Sequence, residues 1–139
     1  MPTSLNADLH CHSVVSDGTL TPEALAERAH SSGVQLWALT DHDEISGQQR
    51  AAAAAHAHGM DYLSGTEISV TFAGTTVHIV GLGFDADNAA LAAGLAATRG
   101  GRDSRAQAMA QDLTRAGIIE RLQLEDARLF ISSFDRPNI

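Results

Sequence analysis

Segments with the hydrophobic pattern of strands alternate with helix-like segments along the first part of the chain. Residues 5–12 alternate apolar and polar side chains, and residues 34–40 are almost continuously apolar, as in a strand covered on both faces. Between them, Thr21 and Pro22 predict the start of a helix, and Gly33 predicts its end. This order of strand, helix and strand predicts an α/β fold.

A second helix and a β-hairpin follow in the pattern. Ser46 predicts the start of the helix, which crosses an alanine-rich stretch and ends at Gly59. Two strand-like stretches flank Ala73 and Gly74, which predicts an antiparallel hairpin near 61–84. The sheet is therefore expected to continue from parallel strands into an antiparallel pair.

Asn88 predicts the start of a third helix, over residues 89–116. Two consecutive glycines, Gly100 and Gly101, are unfavourable inside a helix because of their backbone freedom. We therefore expect the helix to break or bend at that point.

The composition limits the size of the protein and the kinds of partner it can have. The chain has 139 residues, of which 44% are hydrophobic, enough for the core of one modest domain. A formal net charge of -8 disfavours binding to duplex nucleic acid or to an anionic membrane, since both need clustered lysine and arginine. The sequence shows neither a membrane-spanning apolar run nor a secretory leader, and its single cysteine, Cys11, cannot form an internal disulfide. These features predict a cytoplasmic protein.

The stretch NADLHCHSVVSDG, at residues 6–18, concentrates imidazoles and carboxylates. In a strand, Asp8, His10 and His12 would share one face, and Asp17 follows just beyond them. This polar face belongs to a site, or alternatively it is the solvent-exposed face of an edge strand.

A second polar group, TDHDE, follows the apolar run at residues 40–44. It places Asp41, His42 and Asp43 at the carboxyl end of a predicted parallel strand, where α/β folds build their sites. A helix-entry turn capped by Asp43 is the alternative, but it does not explain His42.

The predicted hairpin brings two further candidates together. With residues 73 and 74 as the turn, Ser69 faces His78, and Glu67 lies diagonally from His78 on the same face. Cα atoms of such neighbours are about 7–8 Å apart, close enough for the two side chains to share an ion. A half-exposed strand pair with a polar face is the alternative, although a buried glutamate without a partner would be costly.

These segments together supply four histidines and three carboxylates as candidate metal ligands: His10, His12, His42, His78, Asp17, Glu67 and either Asp41 or Asp8. Nitrogen and oxygen donors without thiolate suit Zn, Mn or Fe, and more than four donors imply more than one ion. Hydrolysis is the natural chemistry of such a site, because metals activate water and polarise phosphoryl or carbonyl oxygens. The remaining histidines lie on predicted helices and are interpreted as bystanders: His30, His56 and His58.

Four ordered stretches resemble the first motifs of the PHP (polymerase and histidinol phosphatase) family: DLHCHSVVSDGTLTPEAL, ALTDHDEISG, GTEISV and HIVGLG. The resemblance covers about residues 6–118 and is to the branch of small phosphoesterases that act on nucleotides and short oligonucleotides. It implies about half of a distorted β/α barrel. A complete member of the family holds two or three divalent ions, often Mn, Fe or Zn.

The resemblance also implies residue roles. The implied metal ligands are His10, His12, Asp17, His42, Glu67 and His78. Among them, Asp17, His42 and Glu67 are the implied catalytic residues. Arg99 and Arg102, in TRGGR, resemble arginines that clamp a substrate phosphate, and a solvated helix face is the alternative.

The chain is shorter than a complete family member, whose later part supplies another histidine ligand and an Asp-x-His pair. We therefore expect a truncated PHP domain over 1–118 and an unrelated tail over 119–139. Around SSFDRPNI, residues 122–139 resemble a short RecQ-type helicase segment without a P-loop, which suggests a chimera or a frameshift. An exposed half-barrel surface predicts self-association into a homo-oligomer.

Two functions follow from these expectations. The first is a metal-dependent phosphoesterase that hydrolyses phosphate esters of nucleotides or short oligonucleotides through a metal-activated water. The alternative is a non-catalytic, oligomeric PHP fragment or chimera that binds metal without turnover. A C–N hydrolase of the amidohydrolase type is a third possibility, against which the SDG and TDH motifs argue.

Overall fold

The computed structural model describes residues 5–101, in which four strands form one curled, half-barrel sheet. The strands are β1 (Ala7–Asp8), β2 (Leu36–Leu39), β3 (Asp61–Phe72) and β4 (Thr75–Leu82). In the sheet they follow the order β1-β2-β3-β4; the first three are parallel, and β4 returns antiparallel to β3. The predicted α/β class and partial barrel are confirmed.

Helix α1 (Pro22–Ser31) begins and ends where the sequence predicts. The side chain of Thr21 accepts a hydrogen bond from the backbone N of Ala24 at 3.2 Å, so it caps the helix. Beyond the helix, Gly33 has a φ of 77°, a left-handed conformation that glycine adopts without strain.

Helix α2 (Gln48–Ala57) begins slightly later than predicted. The carboxylate of Glu44 accepts hydrogen bonds from the next two backbone N–H groups, the second of which belongs to Ser46. Because this contact holds Ser46 in the preceding turn, Gly47 takes the N-cap position without a side-chain cap. The helix ends before Gly59, whose φ is 73°, as predicted.

Strand β1 is shorter than the alternating pattern over 5–12 predicts. After it, the backbone is held by Thr40: the hydroxyl of Thr40 accepts from the Cys11 N–H at 3.1 Å, and the Thr40 N–H donates to the Cys11 carbonyl at 2.9 Å. The Thr40 hydroxyl thus takes the place of a backbone carbonyl as the acceptor for the Cys11 N–H. The two histidines that flank Cys11 nevertheless reach the site described below.

The core lies between the sheet and the two helices. Trp37 and Leu39 of β2 are fully buried, and the Trp37 ring centroid lies 5.6 Å from that of Tyr62. The remaining buried residues of this cluster are Ala26, Ala29, Ala51, Ala55 and Met60. Small alanine side chains on both helices allow close packing over the bulky tryptophan.

The hairpin has the predicted register, with Ser69 opposite His78. Its turn residues, Ala73 and Gly74, have φ angles of 49° and 80°, the left-handed conformation that two-residue hairpin turns require. Within residues 5–101, β4 is an edge strand, and several of its apolar side chains are exposed: Val77, Ile79, Val80 and Leu82.

The side chain of Asn88 accepts a hydrogen bond from the backbone N of Leu91 at 3.0 Å, which confirms the predicted helix cap. Residues 89–101 are helical, and glycine costs only about 1 kcal/mol relative to alanine in a helix. The predicted break or bend at Gly100 and Gly101 stays a prediction, because the chain after residue 101 lies outside the described residues. The four strands, α1 and α2 belong to a unit that ends at Thr98, and a second unit covers 99–139. The predicted remainder of the third helix, the junction near 118 and the tail lie outside the described residues.

Among the described residues, no helix has the length and apolar character needed to cross a membrane.

Candidate metal centre

The carboxylate of Glu67 lies at the centre of a cluster of imidazoles from separate segments of the chain. Its Oε2 atom is 2.8 Å from Nε2 of His10, 3.0 Å from Nε2 of His12 and 3.7 Å from Nε2 of His42. Only 7% of the Glu67 side chain is exposed. The site therefore combines a buried acid with three converging rings.

Backbone pairing beyond the end of β2 places His42 beside Glu67. The Glu67 N–H donates to the carbonyl of Asp41 at 3.1 Å, and the Asp43 N–H donates to the carbonyl of Glu67 at 2.9 Å. The side chain of Asp43 accepts a hydrogen bond from the Ser69 N–H at 2.9 Å. Asp43 thus joins the loop after β2 to β3, and within residues 5–101 it is not a member of the donor groups given below.

His78 completes the cluster from β4. Its Nδ1 atom lies 3.5 Å from Oε1 of Glu67, as the predicted diagonal pairing requires. The Ser69 hydroxyl lies 3.1 Å from Nδ1 of His78 and 3.4 Å from Nδ1 of His42. One hydroxyl therefore contacts rings from two segments and can orient both.

Asp17 contributes the second carboxylate. Its Oδ1 atom is 3.6 Å from Nδ1 of His12, and its Oδ2 atom is 3.6 Å from Nε2 of His42. About half of the Asp17 side chain is exposed (49%), whereas Glu67 is almost enclosed. The site therefore has an enclosed acid and an acid that water can reach.

Three overlapping groups of donor atoms result, each with ligand atoms that lie within 4.8 Å of one another. Each group combines two imidazoles with one carboxylate: His10, His12 and Glu67; His12, Asp17 and His42; His42, Glu67 and His78. The structure thus brings together the six residues that the PHP resemblance implies as ligands. Nitrogen and oxygen donors in this combination suit a divalent transition metal.

His12 shows most directly that the cluster fits a cation. Within the described part of the chain, its Nδ1 atom is buried and makes no hydrogen bond. Burial lowers the pKa of His12, and the neighbouring His42 lowers it further, while Asp17 and Glu67 act in the opposite direction. A neutral imidazole is the form that binds a metal ion.

Asp41 and Asp8 were the alternatives for a seventh ligand, and neither belongs to a donor group among residues 5–101. Both oxygens of Asp41 accept hydrogen bonds from Ser13 and Ser16 in the loop before α1. Asp8 accepts from the backbone N of His10 at 3.4 Å. The Asp41 carboxylate is therefore bonded to this loop.

Three serines support the cluster, and the sequence analysis assigned none of them to the site: Ser13, Ser16 and Ser69. A positional signal was available, since each is adjacent to a candidate ligand or lies two residues away on the same strand face. Serine is too common for this spacing alone to indicate a role.

Cys11 lies between two site histidines but is directed away from them. Its Sγ atom is 3.4 Å from the carbonyl of Ala38 on β2. Burial, followed by the charge of Asp8, raises the pKa of Cys11 to about 12. The thiol therefore stays protonated and acts as a small core side chain, as the sequence suggests.

The other predicted residues lie elsewhere. The rings of His30 and His58 stack with centroids 5.0 Å apart at the ends of α1 and α2. Neither of them nor His56 belongs to a donor group in the described part of the chain. Arg99 is helical and belongs to the second unit, and Arg102 lies outside the described residues. The phosphate clamp thus stays a prediction from the sequence.

Residues 8–125 match the PHP domain family, and the chain belongs to that family. The match confirms the resemblance seen in the four motifs, and it includes the predicted junction near residue 118.

Two curated relatives indicate which activities occur in similar proteins. A 3′,5′-nucleoside bisphosphate phosphatase of Chromobacterium violaceum is 51% identical over 113 residues, which are 81% of this chain and 40% of that protein. A 5′-3′ exoribonuclease of Haemophilus influenzae is 43% identical over 111 residues, 80% of this chain and 40% of the relative. The chain therefore spans about two fifths of the length of these relatives.

Two solved structures share the fold. One, described as an amidohydrolase from Chromobacterium violaceum with bound sulfate and no metal, has a TM-score of 0.74 and 51% identity, covering 81% of this chain and 39% of its own. The other, described as a predicted metal-dependent phosphoesterase from Bifidobacterium adolescentis, has a TM-score of 0.71 and 35% identity, covering 83% and 40%. The curled sheet is thus found within longer chains.

Proposed function

We propose that this chain is the metal-binding part of a phosphoesterase that hydrolyses phosphate esters of nucleotides or short oligonucleotides. The observation that carries the proposal is the position of Glu67, whose carboxylate faces imidazoles from three other segments. The activities named for the two curated relatives support the substrate class.

Six residues would hold the ions: His10, His12, Asp17, His42, Glu67 and His78. The donor types favour Mn, Fe or Zn, and the three overlapping groups favour two or three ions. Divalent ions bound here would supply Lewis-acid activation of water and of a phosphoryl oxygen. Their charge would also offset part of the net charge of -8.

Three of these residues have further proposed roles in catalysis. Glu67, enclosed by imidazoles, fixes the relative positions of the donor groups that share it. Asp17 is half exposed, so its carboxylate can accept a proton from an approaching water and orient it. His42 lies 3.6 Å from Asp17 and 3.7 Å from Glu67, so it links the two acids.

Arg99 and Arg102 are proposed to bind the substrate phosphate. A guanidinium group donates two parallel hydrogen bonds to phosphate oxygens, which suits a nucleotide better than a neutral amide. The protein is also proposed to work in the cytoplasm, on the strength of its composition alone.

A second candidate is a non-catalytic fragment that binds metal and self-associates. It is favoured by the exposed apolar side chains of β4 within residues 5–101. A second copy of the chain would cover this edge by pairing strands across a two-fold axis. The variant Ile79→Glu should then give a smaller particle in light scattering than the parent, while Ala53→Glu on α2 should not.

Turnover separates the two candidates. The purified chain is loaded with Mn²⁺ and assayed with a 3′,5′-nucleoside bisphosphate, alongside a metal-stripped sample and the variants His10→Ala and His30→Ala. Phosphate release that needs metal and His10 but not His30 supports the phosphoesterase. Bound Mn²⁺ without His10-dependent turnover selects the fragment. Cleavage of an amide substrate in place of the phosphate ester would instead indicate a C–N hydrolase.

A further inference from the structure

One buried carboxylate joins two of the segments that carry the metal centre. Asp41 is 1% exposed, and its Oδ1 atom accepts hydrogen bonds from the Ser13 N–H at 2.7 Å and the Ser16 hydroxyl at 2.6 Å. Its Oδ2 atom accepts from the Ser13 hydroxyl at 2.7 Å. All three bonds go to the loop that connects His12 to Asp17.

The same loop is closed by its own backbone. The carbonyl of Ser13 accepts from the N–H groups of Ser16 at 3.1 Å and Gly18 at 2.8 Å, and the Ser13 hydroxyl accepts from the Val15 N–H at 3.1 Å. Ser13 therefore makes hydrogen bonds both within the loop and to Asp41. Since a buried ionised carboxylate is costly unless it is hydrogen-bonded, the loop and Asp41 stabilise each other.

On its other side, Asp41 is attached to β3. Its carbonyl accepts from the Glu67 N–H at 3.1 Å and from the Thr66 hydroxyl at 3.1 Å. Asp41 also precedes His42 directly in the chain. One residue thus contacts the loop that carries Asp17 and the strand that carries Glu67, and it adjoins a third donor.

We propose that Asp41 is a positioning residue, which holds the 13–18 loop so that the Asp17 carboxylate faces the rings of His12 and His42. The side chain of Asp41 does not point to a metal, because both of its oxygens are directed at the serines. Its consequence for ion binding rests on the proposed function. The position of Asp17 beside the two rings does not require a metal, so it can be tested separately.

Two variants weaken the attachment to different degrees. Asp41→Asn keeps the size of the side chain but replaces one acceptor with an NH₂ group. That group cannot accept the hydrogen bond from the Ser13 hydroxyl. Ser16→Ala removes a half-buried hydroxyl that donates to Oδ1 of Asp41 at 2.6 Å and also lies 3.3 Å from Oδ1 of Asp17, and it leaves the Asp41 side chain intact. Asp61→Asn, an exposed carboxylate at the start of β3, is the matched control.

The first measurement uses the full metal-free chain and records the imidazole ¹H–¹⁵N NMR signals at one fixed pH. Asp41→Asn and Ser16→Ala should move the signals of His12 and His42 in the same direction as Asp17→Asn does. The signals of His30 and His58 should stay in place, as all signals should in Asp61→Asn. Unchanged His12 and His42 signals would overturn the proposal, and so would equal shifts of all histidines, which indicate general loss of structure.

The second measurement is a calorimetric titration with Mn²⁺. Asp41→Asn should lower the affinity for the Mn²⁺ ion that Asp17 helps to bind by about tenfold. This is the lower end of the effect typical of residues that orient ligands. Ser16→Ala should lower the affinity for the same ion by a smaller factor. The proposal is contradicted if Asp41→Asn lowers the affinity for every bound ion equally, or if it leaves all affinities unchanged. If Asp41→Asn does not fold, Ser13→Ala decides in its place, because it removes the hydroxyl that donates to Oδ2 of Asp41 and leaves the contact between Ser16 and Asp17 in place.

The two hypotheses fail differently. A parent chain that binds no Mn²⁺ rejects the proposed function, and the ring signals still decide the role of Asp41. A parent that binds Mn²⁺ while both variants bind it identically rejects the role of Asp41 and leaves the proposed function standing.

Discussion

Oε2 of Glu67 lies 2.8 Å from Nε2 of His10, although 57 positions separate the two residues in the chain. The contact depends on the parallel pairing of β1 with β2 and of β2 with β3. Since Nε2 of His12 also lies 3.0 Å from the same oxygen, one carboxylate interacts with both rings of the His-x-His motif. Binding of a metal ion by this cluster should therefore depend on Glu67.

The substitution Glu67→Gln should weaken Mn²⁺ binding by at least about tenfold, because the amide lacks the charge and one of the acceptor oxygens of the carboxylate. Calorimetric titration of the parent and the variant measures the change. Glu27→Gln, on the exposed side of α1, should bind Mn²⁺ as the parent does. Equal affinities for Glu67→Gln and the parent would remove Glu67 from the ligand set.

Gly18→Ala should destabilise the chain by about 1–3 kcal/mol, the usual cost of forcing extra atoms into a packed position. A Cβ atom at residue 18 would lie 2.1 Å from the carbonyl oxygen of His12, so the backbone of the loop must move. Gly94→Ala is the control, since its Cβ would meet nothing within 4 Å among residues 5–101 and alanine favours the helix by up to about 1 kcal/mol. Urea denaturation measures both, and equal destabilisation of the two variants would contradict the described loop.

The free energy of unfolding should fall as the pH rises from about 9 towards 12. In the folded chain the pKa of Cys11 is raised to about 12, whereas its ordinary value is 9.0. In this interval the unfolded chain loses the thiol proton and the folded chain keeps it, which favours unfolding. Burial also raises the pKa of Tyr62, which acts in the same direction. Cys11→Ala should therefore lose less stability than the parent between pH 8 and pH 10 in urea denaturation; a parallel loss would exclude this role of Cys11.

In the metal-free chain, stability should fall as the pH drops below about 6.5, the ordinary pKa of histidine. The folded pKa of His12 is lower than that value, so the unfolded chain takes up a proton first and acid favours unfolding. The contribution of His12 to the free energy of unfolding is present above pH 6.5 and is lost as the pH falls below that value. His12→Gln should flatten the pH dependence of urea denaturation relative to the parent, whereas His56→Gln, on the exposed end of α2, should not. An unchanged slope in His12→Gln would mean that its ring is not buried in neutral form.

Features set by neighbouring residues could be predicted from the sequence. The caps Thr21 and Asn88 and the left-handed Gly33 and Gly59 depend on a few local dihedral angles and hydrogen bonds. The hairpin register also follows from a two-residue turn, which is why the pairing of Ser69 with His78 could be derived in advance. The six candidate ligands could be named because each lies in a short sequence motif that can be recognised without the tertiary structure.

Other features depend on residues that are distant in the chain, and these the sequence did not reveal. In the sequence, nothing distinguishes the carboxylate of Asp41 from those of the candidate ligands. Its hydrogen bonds to Ser13 and Ser16 become visible only when folding brings their loop beside it. The short β1 depends on Thr40, whose hydroxyl replaces a backbone partner.

The sequence by itself determined both ends of α1, the end of α2, the hairpin, the donor types and the family, because each is encoded within a short stretch of chain. Only the tertiary structure decided which carboxylate contacts the imidazoles and which one is enclosed by serine hydrogen bonds. The physical reason is that the cost of burying a charge depends on the partners that folding brings to it, and these come from other segments.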